Sequence, residues 1–347
     1  MASTPLLLFV MFISAIGSGE KLDIDALQNQ FGNRLQPELR VREIDDRNSR
    51  EFALLTTIQV NQGRFEFFNP FGDEVIGRCY RVAVVDAEGF VVRNIVPTTA
   101  AAPDLAKHDS WLHVYRNGLV GRCHTLPADT WKGIAAGHYS LVLIVNRRMI
   151  HGSPQSFRSS PRKRSWEESW RDHSQDTPLC GSPPVSVEID NQGNCHFPDI
   201  RRLEAVDVES TVSEKRELSI SVKIISPDDS WMMIRGMNVY DSMTRSLSET
   251  VTKEDGSTAL RSFRPPGGTS GPGVSEESDA VLVPRHGIVG GVLLHGGSLE
   301  PGKYRVAVRV HESIYKDKLF VHGKKVDRDL ADWPVRFQSM PRELVVE

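Results

Sequence analysis

The sequence predicts an all-β protein built as two tandem antiparallel β-sandwiches, and three observations carry that prediction. Short runs rich in β-branched and aromatic residues recur about every eight to twelve positions, separated by turn residues. The phrase Arg116-Asn117-Gly118-Leu119-Val120-Gly121 returns as Arg285-His286-Gly287-Ile288-Val289-Gly290. Each copy is followed at a short interval by a Gly-x-Tyr that opens an alternating apolar run. The shared residues are glycines, valines and a tyrosine, so the duplication describes a scaffold and not a chemistry.

The elements follow in order. Residues 5–16 are apolar but too short to span a bilayer, and Gly17, Ser18 and Gly19 suit signal peptidase. Residues 1–19 are therefore read as a signal peptide, with the mature chain starting near Glu20 and the product exported (secreted, periplasmic or at the cell surface). Residues 22–31 have room for two helical turns. The first sandwich, 33–162, takes strands at 53–60, 64–68, 80–85, 90–95, 112–115 and 139–145. Asp86-Ala87-Glu88-Gly89 makes a hairpin turn there, with Gly89 free to take a positive φ.

A linker, 163–182, carries Trp166 and Trp170, and the preceding Arg162-Lys163-Arg164 reads as a solvated basic stretch. The second sandwich, 183–347, takes strands at 218–225, 232–240, 281–283 and 304–310, with Asp190-Asn191-Gln192-Gly193-Asn194 as a hairpin turn. Phe337-Gln338-Ser339-Met340-Pro341 echoes Phe157-Arg158-Ser159-Ser160-Pro161. Aligning Asp86 with Asp241 sets Cys79 opposite Ile234, and aligning Gly121 with Gly290 sets Cys123 opposite Val292. A Gly/Pro/Ser-rich piece, 254–279, interrupts the second half where the first has 97–110, and its composition predicts disorder.

The chain has 347 residues and a formal charge of -3, which gives no reason to expect nucleic acid as a partner. No later run is long enough for an integral membrane segment after signal cleavage. Four cysteines in an exported chain invite pairing. Three connectivities are possible, and Cys79 with Cys123 and Cys180 with Cys195 is favoured because each pair stays within or at the edge of one sandwich. Their spacing does not suit a zinc site.

Leu299-Glu300-Pro301-Gly302-Lys303-Tyr304-Arg305-Val306-Ala307-Val308 resembles the stretch of immunoglobulin-like and fibronectin type III-like sandwiches in which a turn precedes a strand whose first tyrosine anchors a corner. The first half keeps Gly137-His138-Tyr139. The resemblance implies that each tyrosine hydroxyl hydrogen-bonds back to upstream backbone. It implies an architecture and no activity.

No Gly-x-Ser-x-Gly, His-Glu-x-x-His, P-loop or dinucleotide fingerprint is present. His108, His113 and His124, and in the second half His286, His295 and His311, have spacings that fit no metal motif and read as surface or internally satisfied residues. Asp45-Asp46, Glu167-Glu168 and Asp228-Asp229 are adjacent pairs, which on a strand point to opposite faces and cannot flank one bond. Trp111, Trp131 and Trp231, with Trp166 and Trp170, are the candidate ligand contacts.

The sequence reading is a non-catalytic binding or structural module of the cell envelope or extracellular space. It recognises a protein or glycan partner through end loops or strand addition, with no catalytic residue, cofactor or metal assigned. Two rivals are a hydrolase with a site between the halves and a carbohydrate-binding module with aligned exposed aromatics.

Overall fold

The computed structural model describes residues 19–31, 34–46, 49–68, 79–95, 111–126, 128–151, 177–198, 200–226, 230–233, 247–261, 280–283, 285–310, 320–321, 324–325 and 337–347. Among these the protein is all-β, with one short α-helix, α1 (Ile24–Asn29), capped by Asp23, whose carboxylate accepts from Ala26 N. The expected signal peptide, apart from Gly19, lies outside the described residues, as do Trp166, Trp170, residues 157–161 and residues 262–279.

The first half supplies β1 (Leu35–Asp46), β2 (Ser49–Val60), β3 (Arg64–Phe68), β4 (Tyr80–Val85), β5 (Val91–Asn94), β6 (Trp111–Tyr115), β7 (Gly118–Leu126), β8 (Gly137–Asn146) and β9 (Ile150–His151). Next come β10 (Pro178–Gly181), β11 (Val185–Ile189), β12 (Cys195–His196) and β13 (Arg201–Arg202). The second half supplies β14 (Val206–Val212), β15 (Glu217–Ile225), β16 (Ser230–Met233), β17 (Leu247–Lys253), β18 (Thr258–Arg261), β19 (Ala280–Val283) and β20 (Gly287–Ser298). It ends with β21 (Gly302–Val310), β22 (Phe320–Val321), β23 (Lys324–Lys325), β24 (Phe337–Gln338) and β25 (Arg342–Val346).

Each half packs an inner sheet on an outer one. In the first, β1, β2 and β7 face β12-β11-β8-β4-β5; in the second, β14, β15 and β20 face β18-β17-β21 with β24 and β25. Strand alternation decides what lies between: Leu39, Val41, Leu54, Ile58 and Val120 meet Val82, Val84, Leu141, Leu143 and Val145. Val206, Val208, Ile220 and Val222 meet Val251, Val306 and Val308 in the other half.

The two halves are alike down to individual hydrogen bonds. Tyr139 donates its hydroxyl to Ala135 O at 2.9 Å, and Tyr304 donates to Glu300 O at 2.7 Å. Leu143 N donates to Ser182 Oγ at 3.0 Å, and Val308 N to Ser339 Oγ at 2.9 Å. The structural match to Phe337–Pro341 is therefore Cys180–Pro184, which corrects the match to residues 157–161. β10 and β11 pair with β8, so the expected boundary at 183 falls inside the outer sheet of the first half.

The alignment of Asp86 with Asp241 is also corrected. Val84 lies opposite Leu141 and Val251 opposite Val306, so β17 is the counterpart of β4. Residues 232 and 233 belong to β16, which pairs with β19 as β3 pairs with β6. Both candidate strands show the same alternation of side chains, and only the ladder tells them apart.

The two inner sheets are one sheet. β7 pairs antiparallel with β20, with Val120 opposite Val289, Leu119 opposite Gly290 and Gly121 opposite Ile288. The repeated phrase thus pairs with its own copy about a local two-fold axis. Cys123 N donates to His286 O at 2.8 Å, and the related Val292 N donates to Asn117 O at 2.9 Å. Asn117 and His286 both take left-handed backbone, with φ of 66° and 67°. The repeated glycine has a steric cause: a Cβ on Gly121 would sit 1.9 Å from Thr56 O, and one on Gly290 would sit 1.9 Å from Val222 O.

The shared sheet then curls into a six-stranded barrel. The ladders run from Gln36 through Gln59, Leu119, Gly290 and Lys223 to Asp207. Asp207 meets β1 at Arg42 and not at Gln36. That stagger is what a closed, tilted sheet requires. No backbone ladder joins β1 to β14 among the described residues; β13, which leads into β14, pairs with β1 at Arg42 and Glu43, and charged side chains bridge the seam beside it. Arg42 holds Asp207 through two bonds of 2.8 and 3.1 Å; Arg40 lies 3.1 Å from Glu209, and Lys223 2.9 Å from Glu38.

Arg42, Asp207 and Lys223 are almost fully buried. Burial alone would push the Glu209 carboxyl up, but Lys223, Arg40 and Arg42 outweigh it and hold it at about 2. Beside these charges the lumen holds an apolar cluster of Ala53, Leu55, Leu119, Cys123, Ile225 and Ile288.

The four cysteines form no disulfide, which corrects the favoured pairing. Cys79 belongs to the first sandwich core, whereas Cys123 points from β7 into the barrel lumen, so a strand stands between them. Cys180 lies beside Val145 at one end of β8, and Cys195 pairs with Ile189, which sits opposite Gly137 at the other end. Eight residues of strand separate those ends by roughly 26 Å, far beyond disulfide reach.

Two expectations follow for stability. Gly121→Ala and Gly290→Ala each push a neighbouring strand aside and destabilise the chain by about 3 kcal/mol in urea unfolding, whereas Gly193→Ala, on an open turn, costs about 1. Asp207→Ala strands the Arg42 guanidinium in the lumen and costs about 3 to 5 kcal/mol. Because the Glu209 carboxyl is depressed, the stability it contributes is present above pH 4.5 and is lost as the pH falls toward about 2.

Candidate functional site: a polar groove on the first outer sheet

The outward positions of β8 change character along the strand. His138 and Ser140 are polar, whereas Val142 and Ile144 are apolar and need cover. The N-terminal segment covers them: Leu22, Ile24 and Leu27 pack on Ala83, Val85, Val142 and Ile144. The same segment adds to the sheet edge, with Leu22 N donating to Gly89 O and Val91 N to Glu20 O, both at 2.9 Å, while Glu20 pairs with Arg81. In the second half the corresponding positions of β21 are Lys303, Arg305, Ala307 and Arg309, which need no such cover.

The polar end of the face stays open as a cleft of about 550 Å³ lined by residues that include His138, Tyr139, Ser140, Ser186, Glu188 and His196. Alternation on β11 buries Val187 and Ile189 and turns Ser186 and Glu188 outward. The ladders set Ser186 opposite Ser140 and place Glu188 between His138 on β8 and His196 on β12. The Asp86 turn lines the cleft, and the Asp190 turn joins its strands β11 and β12. Asp86 accepts from Phe90 N at 2.8 Å, and Asp190 accepts from Gln192 N and Asn194 N at 2.8 and 2.9 Å. His196 Nε2 lies 3.4 Å from Asp190.

These hydrogen bonds, chiefly those from Asn194, hold the Asp190 carboxyl well below the usual carboxylate range. Both turns are those read from the sequence. The groove was not legible there, because its residues span three strands and two turns.

Among the candidate tryptophans, Trp131 is not a ligand platform. Trp131 is 1% exposed in the first core, edge-on to Phe197 at 5.9 Å, and so cannot stack on a ligand from solvent. Trp111 and Trp231 lie on the short strands β6 and β16, in two separate sheets. The histidines also scatter. His113 is on β6, His286 is in the left-handed turn before β20, and His108 and His311 lie outside the described residues.

His124 and His295 are core residues. His124 Nε2 lies 3.0 Å from the Tyr80 hydroxyl and 3.2 Å from that of Thr56. His295 Nε2 is 3.6 Å from Glu249; burial pushes its pKa down and Glu249 acts against that. Burial also pushes the thiols of Cys123, Cys180 and Cys195 up to about 12, which makes them poor nucleophiles. No group of three potential metal ligands gathers among the described residues. No described helix is long and apolar enough to cross a membrane.

Burial, helped by Arg122 and His286, holds His124 neutral, with its pKa lowered from 6.5 to about 3. The unfolded chain binds this proton more readily, so the stability contributed is complete above pH 6.5 and is lost as the pH falls toward about 3. Melting temperature followed across that window falls more steeply for the wild type than for His124→Gln. Comparison with protein-family models and with curated proteins found no match.

Proposed function

We propose that the protein is a non-catalytic binding module acting outside the cytoplasm, with the groove beside β11 as its working surface and a protein as its partner. The observation that carries this reading is the division of labour among polar groups. The buried charges of the barrel are spent on one another across the seam, while Glu188 and His138 line the groove and make no side-chain hydrogen bond or ion pair among the described residues. Side chains that neither cap, pair nor pack are available to a ligand. The support of the groove is rigid, since β8 and β11 form one wall of the first core.

The test is capture from extracellular fluid with three baits: wild type, Ser186→Arg in the groove, and Thr250→Arg on the corresponding outer sheet of the second half. Both substituted positions are exposed, so both variants keep the wild-type melting temperature. Saturable binding of a protein partner is lost with Ser186→Arg and retained with Thr250→Arg. A partner held equally by all three baits would rule out the groove.

A further inference from the structure

We propose that the groove takes a basic, extended segment of its partner, a reading that rests on the groove being the binding surface. Three features point to a cationic occupant. First, among the described residues no lysine or arginine lines the cleft, and its formal charge comes from Asp86 and Glu188, with Asp190 beside the lining residue His196. Second, the carboxylates of Asp86 and Asp190 are engaged by turn N–H groups, which leaves Glu188 as the acceptor free to meet a ligand. Third, Ser140 and Ser186 put hydroxyls beside it, and Tyr139 and Phe197 add aromatic lining against which an ammonium or guanidinium can rest.

The ladder centres Glu188 in the groove, opposite His138 on one side and His196 on the other, and directly opposite residues in a sheet have Cβ atoms about 5 Å apart.

The probe is a short, blocked peptide of alternating lysine and serine, labelled for fluorescence anisotropy, with a glutamate-serine peptide as control. Wild type binds the lysine peptide at pH 8 at least tenfold more tightly than the glutamate peptide, and Glu188→Gln loses that binding. Equal binding by wild type and Glu188→Gln, or preference for the glutamate peptide, overturns the proposal. If the captured partner is lost with Ser186→Arg yet indifferent to Glu188→Gln, the groove stands and the basic ligand falls. If neither the peptide nor the partner responds to Ser186→Arg, both fall.

Discussion

The antiparallel pairing of β7 with β20 sets the geometry of everything else. It joins two inner sheets into one and puts Val120 opposite its own counterpart Val289 on a local two-fold axis. On their other sides β7 approaches β2 and β20 approaches β15 so closely that only glycine fits at 121 and 290. Hydrophobic burial stabilises each half, but it has no directional preference and cannot choose the β7–β20 register. That register is held by backbone bonds such as Cys123 N to His286 O and Val292 N to Asn117 O.

Curling the sheet carries a second consequence. The axis that passes between Val120 and Val289 leaves the barrel on the opposite wall, at the seam, where Arg40 and Glu209 face each other. By ladder position these two are counterparts, as are Glu38 and Asp207, and Thr57 and Lys223. In two identical copies the axis would set like charge on like charge. Two halves of differing sequence escape that constraint, because one carries arginine and the other glutamate at the matching position. Burying such charges costs several kcal/mol each before pairing, so the cluster is better understood as fixing which strands meet than as a source of stability.

The two halves also differ at their outer sheets, for a simple physical reason. Where β8 turns Val142 and Ile144 outward, the chain lays its own N-terminal segment across them. Where β21 presents Arg305 and Arg309, water suffices. The groove is the stretch of the first outer face that the segment leaves open.

The sequence by itself determined the class and much of the local detail. The repeated glycine phrase, the tyrosine corners at Tyr139 and Tyr304, and the aspartate turns at Asp86 and Asp190 rest on short-range sterics and hydrogen bonds that a few neighbouring residues specify. Tertiary structure decided the rest. Glu38, Arg40 and Arg42 alternate along β1 as solvent-facing residues do, and only closure of the barrel turns them inward toward Asp207, Glu209 and Lys223. The cysteines looked pairable by position, yet opposite strand ends and an intervening strand keep them apart. His138, Glu188 and His196 become neighbours only through register, which is fixed by pairing between distant segments and leaves no local mark in the chain.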